Sequence, residues 1–196
     1  MIMEVRKIVS KEAGEKRRKR NQIIIGIVLV GLMVMSSAGY SFMSQDDSIT
    51  SGQNKVTHNG FEFISNGGLW QLTLGNLNFY FTNTPNDVTP INSSLNLMSS
   101  YSGKVLYVSS QNTEAELEIY RNLDQIVFRR QYACLEGENC TNPQYPIKTC
   151  EDYFIIIRES EINSITQDRN CVYIEGKKEN LAKVADEFLF KILNIR

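Results

Sequence analysis

The residues of this chain that could do chemistry are few: four cysteines, one histidine, scattered carboxylates and one glycine pair. Cys134, Cys140, Cys150 and Cys171 have five, nine and twenty residues between them. Zinc ribbons and thioredoxin-like redox sites both need a C-x-x-C pair, and none of these intervals supplies one. An even number of cysteines in an oxidising compartment points instead to two bridges. Three pairings exist. The pairing expected is Cys134–Cys140, which brackets the turn-rich Glu136-Gly137-Glu138-Asn139, with Cys150–Cys171, which brackets a run of short strands. Loop closure alone would make these bridges worth about 2 and 3 kcal/mol.

His58 is the only histidine, so any Ser-His-Asp or Cys-His mechanism must run through it. It directly precedes Asn59-Gly60, a strong hairpin signal, and reads as a half-exposed residue on the flank of that turn. The acidic runs Asp46-Asp47 and Glu136/Glu138 read as solvated loop charges, because a catalytic carboxylate pair is defined by a separation in space. Gly67-Gly68 lacks the Lys-Ser/Thr that follows a phosphate-cradling loop, and it opens onto a strand where such a loop opens onto a helix. On these grounds no catalytic residue, cofactor or metal ligand is assigned. Asn92-Ser93-Ser94 and Asn139-Cys140-Thr141 match the N-glycosylation pattern.

These residues are to be positioned by an α+β domain over residues 55–196. Asn59-Gly60, Ser65-Asn66-Gly67-Gly68 and Gly75-Asn76 separate four short segments, Lys55–His58, Phe61–Ile64, Leu69–Leu74 and Leu77–Thr82, which predicts an antiparallel meander. Alternation places Phe61, Phe63, Trp70, Leu72, Leu74, Leu77, Phe79 and Phe81 toward a core, with Glu62, Gln71 and Asn78 turned away. A strand is expected at Lys104–Ser109, then an amphipathic helix opened by a Thr113/Glu116 capping box, with Leu117, Tyr120, Leu123 and Ile126 as its apolar stripe and Glu118 and Arg121 off it. Phe128–Leu135 reads as another strand. Tyr153–Arg158, Ile162–Gln167 and Cys171–Glu175 read as a second antiparallel meander. The last element is a helix whose apolar positions Leu181, Val184, Ala185, Phe188, Leu189, Ile192 and Leu193 keep a helical period. Phe190 falls off that stripe and is expected to be exposed, where it could contact a partner.

The first 54 residues have a different character. Residues 1–21 form a basic tail, and its first twenty residues carry eight Lys/Arg against three Glu. Residues 22–42 include the uncharged run Ile23–Met35, and about twenty residues at 1.5 Å each cross a bilayer core of about 30 Å. The cluster Lys16-Arg17-Arg18-Lys19-Arg20 places the tail in the cytoplasm by the positive-inside rule. The chain beyond is then outside. The small residues Ser36-Ser37-Ala38 would suit a cleaved secretory signal, and that reading exports the domain as well. Residues 43–54 are polar and read as a stalk. Residues 21–196 carry thirteen basic against nineteen acidic residues, which argues against nucleic acid as a ligand, because binding phosphates needs a basic face.

Two stretches carry a family resemblance. GFEFISNGGLWQLTLGNLNFYFTNTPNDV at 60–88 has a Gly-Phe-x-Phe, Trp, Tyr-x-Phe, Pro and Val pattern. Cys150 with NCVYIEGKKENLAKVADEFLFKILNI at 170–195 has the Cys, Asn-Cys, Glu-Gly and terminal amphipathic helix. Together they resemble an uncharacterised family of archaeal single-pass proteins, anchored at the N-terminus and carrying a small α+β outer domain. The segment with Cys134 and Cys140 departs from that pattern. The resemblance implies an anchored surface domain and brings no activity or site with it.

The function expected is a membrane-anchored extracytoplasmic interaction or assembly module, in contact with the lipid bilayer through residues 22–42 and with a surface or membrane protein as partner. The alternative is an extracytoplasmic hydrolase or thiol redox enzyme whose site the sequence does not advertise.

Overall fold

The computed structural model describes residues 22, 24–29, 54–140 and 142–196. The chain divides between Gly52 and Gln53. In the first unit residues 24–29 are helical, with exposed apolar side chains. The rest of the expected span 22–42, the tail 1–21 and the stalk up to Gln53 lie outside the described residues. Among the described residues no helix is long and apolar enough to cross a membrane.

The second unit is a mixed α+β domain. It opens with β1 (Lys55–His58), β2 (Phe61–Asn66), β3 (Leu69–Leu74) and β4 (Leu77–Phe81), which form an antiparallel sheet in sequence order. Asn59 and Gly60 both take positive φ, 48° and 84°, the conformation that lets a two-residue turn follow the twist of its strands. The expected alternation holds. Phe63, Leu72, Phe79 and Phe81 are buried, and Leu72 stands opposite Phe79 as Trp70 stands opposite Phe81. On the outer face Asn66, Gln71, Asn78 and Thr73 hydrogen-bond to one another.

The second sheet differs from the meander expected of it. It combines β5 (Val105–Ser110), β6 (Arg129–Tyr132), β9 (Tyr153–Glu159), β10 (Ser164–Asp168) and β11 (Cys171–Gly176) in the order β10-β11-β9-β5-β6. β5 is parallel to both β6 and β9, and β9 is parallel to β11. Only β10 runs antiparallel, against β11. The physical reason lies in Ile155-Ile156-Ile157, all buried: a strand covered on both faces loses its alternation, as central strands of parallel sheets do. The strand expected over Phe128–Leu135 breaks at Ala133 into β6 and the short β7 (Cys134–Leu135), which pairs in parallel with β8 (Ile147–Lys148).

Two helices, α1 (Thr113–Leu123) and α2 (Leu181–Ile192), share one core with both sheets. The first sheet contributes Phe63 and Phe81, and the second contributes Val108, Ile155, Ile157, Val172 and Ile174. The predicted stripe of α2 is buried throughout. Phe190, expected to be exposed, is 0% exposed. Its ring meets Phe63 edge-on at 5.9 Å and Phe81 at 4.8 Å. An amphipathic count assumes one covered side, whereas α2 has sheet core on both, so Asp186, Glu187 and Phe190, off the stripe, are buried too. The opposite face of the second sheet holds a smaller cluster of Tyr107, Ala133, Phe154, Ile156, Cys150 and Cys171.

The phase of α1 also differs from expectation. Asn112 is the cap, its side chain accepting from Ala115 N at 2.9 Å, so Thr113 is the first helical residue. The buried face is Ala115, Glu118, Ile119, Asn122 and Leu123, while Leu117 is exposed. The polar members of that face dock onto the free edge of the first sheet. Asn122 Oδ1 accepts from Tyr80 N and its Nδ2 donates to Tyr80 O, both at 2.8 Å. Gln125 Nε2 donates to Asn78 O at 2.8 Å, and the Glu118 carboxylate accepts from the Thr82 hydroxyl. A step of two strand residues, about 6.8 Å, is close to the rise of about 6 Å over four helical residues. A helix row can therefore serve as a strand's hydrogen-bonding neighbour.

Candidate functional site

The carboxyl ends of parallel strands are where open α/β sheets bind ligands, at the point where successive connections leave on opposite faces. This domain has such a point beside β5. The connection from β5 to β6 carries α1 on the face of the main core, with Ala115, Ile119 and Leu123 inward. The connection from β6 to β9 carries Ala133, Leu135 and Cys150 on the other face. Between them, at the ends of β5, β6 and β9, opens a crevice of about 330 Å³. Its polar walls include Gln111, Glu116, Tyr132, Glu138, Tyr145 and Arg158.

Each wall is fixed by local structure. Gln111 follows β5, and its Oε1 accepts from Glu159 N at 3.1 Å. Glu116 lies near the start of α1 and accepts from the Tyr132 hydroxyl. That hydrogen bond raises the Tyr132 phenol above its ordinary pKa. Tyr120 is raised further, first by burial and then by its bonds to Glu116 and Tyr132. Both phenols therefore remain protonated as donors. Tyr132 and Tyr145 are stacked, with ring centroids 5.5 Å apart and planes inclined by 15°. Tyr120 lies edge-on to Tyr132, with ring centroids 6.4 Å apart, under the Arg130 guanidinium at 3.7 Å.

Arg158 carries the positive charge of the crevice and is already paired. Its Nε donates to Glu175 Oε1 at 2.6 Å and its Nη1 to Glu138 Oε1 at 3.1 Å. Burial pushes the Glu175 carboxyl up, but Arg158 and Ser164 outweigh it and hold the group below its ordinary value. Glu138 sits in the segment closed by the Cys134–Cys140 bridge, with Cα atoms 5.4 Å apart. The bridge thus holds one wall of the crevice in place. Cys150–Cys171 is formed as well, as the spacing suggested, and belongs to the core behind β9 and β11.

A second cluster lies within the main core. Asp186 of α2 is 0% exposed; its Oδ2 accepts from Asn83 N at 3.0 Å and from Asn83 Nδ2 at 2.8 Å. Burial raises its pKa well above the ordinary carboxylate range, and the adjacent Glu118 raises it further. Glu118 itself is paired with Arg121 Nη1 at 2.9 and 3.1 Å. Asp186 Oδ1 receives no hydrogen bond, which fits a protonated oxygen donating toward Glu118. Glu187, also buried, accepts from Ile91 N at 3.2 Å and pairs with Arg196 at 2.6 Å. These carboxyls join loops to the helix layer, and none of them lines the crevice.

Among the residues singled out from sequence, His58 stands on β1 with Nδ1 3.1 Å from Asn86 Oδ1 and does not line the crevice. Phe190 is core. Cys134 alone of the four cysteines lines the crevice. Gln111, Glu116, Tyr132, Tyr145 and Arg158 were not foreseen, because five separate segments bring them together. The one usable signal is the non-alternating Ile155-Ile156-Ile157, which marks a strand covered on both faces but gives neither its direction nor a site at its end. Among the described residues no group of three or more His, Cys, Asp or Glu is arranged to hold a metal ion. No family model matches the chain, and no curated protein or solved structure matches it either.

Proposed function

We propose that the protein is a binding module, anchored in the membrane through residues 22–42 with its α+β domain outside, and that it binds through the crevice at the ends of β5, β6 and β9. The observation that carries this reading is the position of the crevice, at the strand ends where two successive connections part. Three features of the sequence support the location: the uncharged run Ile23–Met35, the basic cluster before it, and four cysteines that suit an oxidising compartment. The walls of the crevice are preorganised by their own pairs, as suits recognition: Tyr132 with Glu116, Arg158 with Glu138.

The alternative, an extracytoplasmic enzyme, has the Asp186–Glu118 pair in its favour, since one raised carboxyl beside another is an arrangement used for proton transfer. Both side chains are buried and spent on Asn83, Thr82 and Arg121, which favours a structural role for them.

Photocrosslinking tests the binding reading in full-length protein in its own membrane. A crosslinking residue at position 138 or 145 should give a discrete adduct, and one at Thr57 on the first sheet should give none. Equal labelling from all three positions, or none from the crevice, would overturn it. Protease added to intact cells should digest the domain and spare an epitope at residue 1. Loss of that epitope without lysis would refute the anchored topology.

A further inference from the structure

The chemistry of the crevice narrows what it can hold, and the argument rests on the reading of this crevice as the binding face. A helix beginning at the carboxyl end of a parallel sheet commonly receives phosphate at its N-terminus. Here the first turn of α1 carries Glu114 and Glu116, which complement the helix dipole themselves and repel a second anion. Arg158 is engaged by two carboxylates. Among the described residues that line the crevice an anionic ligand therefore finds no unshared positive charge. A cation fares little better, because Glu138 is paired with Arg158 and Glu116 is hydrogen-bonded by Tyr132.

What remains is a set of mixed donors and acceptors against an aromatic wall. The guanidinium of Arg158, the carboxamides of Gln111 and Asn139 and the carboxylate of Glu138 all line the crevice. All are planar, and Arg158 Nη2, Glu138 Oε2 and Gln111 Nε2 take no part in the pairs described above, so together they offer donors as well as an acceptor to neighbouring hydroxyl groups. The stacked Tyr132 and Tyr145 supply flat apolar surface with polar tips. A ring with one C–H face and a rim of hydroxyls, every one of them donor and acceptor, matches both features. The volume of about 330 Å³ is at the lower end of small-ligand pockets, enough for one such ring.

We propose that the crevice binds a neutral saccharide residue, either as a free sugar or as a unit of a surface glycan. The ring lies against the tyrosine wall, and its hydroxyls are bridged by Arg158, Glu138, Gln111 and Asn139.

Saturation-transfer NMR on the full chain tests this, in a polyoxyethylene detergent so that no glycoside competes. The probes are neutral oligosaccharides of glucose, galactose, mannose and N-acetylglucosamine, with a uronic acid oligomer, lysine and spermidine for comparison. At least one neutral saccharide should show transfer to its C–H protons. Tyr145→Ala and Glu138→Gln should each weaken that binding at least tenfold, with circular dichroism and melting temperature unchanged, and Thr57→Ala should leave it intact. Competition by the monosaccharide at the same concentration as the oligomer would assign recognition to a single residue; transfer to the oligomer alone would assign it to a chain. Absence of transfer to every neutral sugar, transfer that survives Tyr145→Ala, or transfer confined to the amines or the uronic acid would overturn the proposal. If crosslinking from position 138 or 145 still succeeds, the saccharide reading alone fails; if both experiments fail, the crevice is not the binding face.

Discussion

Asn122 hydrogen-bonds both backbone groups of Tyr80, accepting from its N–H and donating to its C=O, each at 2.8 Å. A side-chain amide so placed completes the sheet edge as a fifth strand would. Asn122→Ala leaves a buried donor and acceptor without partners, and unmade bonds of this kind are costly. The expected loss is about 3 kcal/mol, read by urea unfolding. Gln125→Ala, at an exposed position whose Nε2 donates to Asn78 O at 2.8 Å and to Asn122 O at 3.3 Å, should cost under about 1 kcal/mol. Equal effects would show that α1 does not close the edge.

Asp186 predicts a pH dependence. In the folded chain it keeps its proton well above its ordinary value of 3.8, through burial and the neighbouring Glu118. Between 3.8 and the raised folded value, the folded state binds more protons than the unfolded one. The contribution of Asp186 is therefore complete below 3.8 and declines as pH rises through that window, by at most about 1.4 kcal/mol per pH unit. Asp186→Asn keeps an acceptor for Asn83 and turns a donor toward Glu118. The variant should match or exceed the parent at pH 8 and show a shallower fall between pH 5 and 8 in urea titrations. Parallel slopes would mean that Asp186 is ionised in the fold.

The bridges should differ in reactivity. Cys140 is exposed, whereas Cys171 is buried at 0%. Mild reductant followed by alkylation and peptide mapping should label Cys134 and Cys140 before Cys150 and Cys171. Replacing the pairs by alanine should cost about 2 kcal/mol for the first and about 3 for the second. The first replacement should also diminish crosslinking from position 138, because Glu138 lies in the segment that the bridge closes. Simultaneous labelling of all four thiols would refute the order.

Phe190→Ala should cost about 3–5 kcal/mol, the range for a large aromatic removed from a packed core. Phe128, 73% exposed, should tolerate alanine within about 0.5 kcal/mol. Thermal or urea unfolding of the two variants separates a core position from a surface one.

How much of this could be read in the sequence varied with how far each feature reached along the chain. The first sheet was legible because Asn59-Gly60 and strict alternation act locally, and the cysteine pairing because each pair spans one short segment. The direction of β9 and β11 was not, since hydrophobic runs of four to six residues carry no sign of parallel or antiparallel neighbours. Glu118 falls off the apolar stripe, and Asn122 and Asp186 carry no sequence signal, for a simple reason: pattern reading sends polar residues outward, and it cannot see the strand edge or carboxyl group that receives them. Phe190 failed by the same assumption in reverse. The crevice was the least legible feature, because its walls meet only after β5, β6 and β9 have come into register.

The placement of α2 has a consequence for how the domain comes apart. A helix that supplies core to both sheets makes their inner faces depend on one layer, so opening one sheet exposes the apolar inner surface of the other. Sub-global opening, in which one supersecondary unit unfolds while the rest persists, should then be suppressed across the layers. Slow amides in β3 and in β9 would exchange with deuterium at one common free energy, and the two sheets would behave as a single cooperative unit despite sharing no strand.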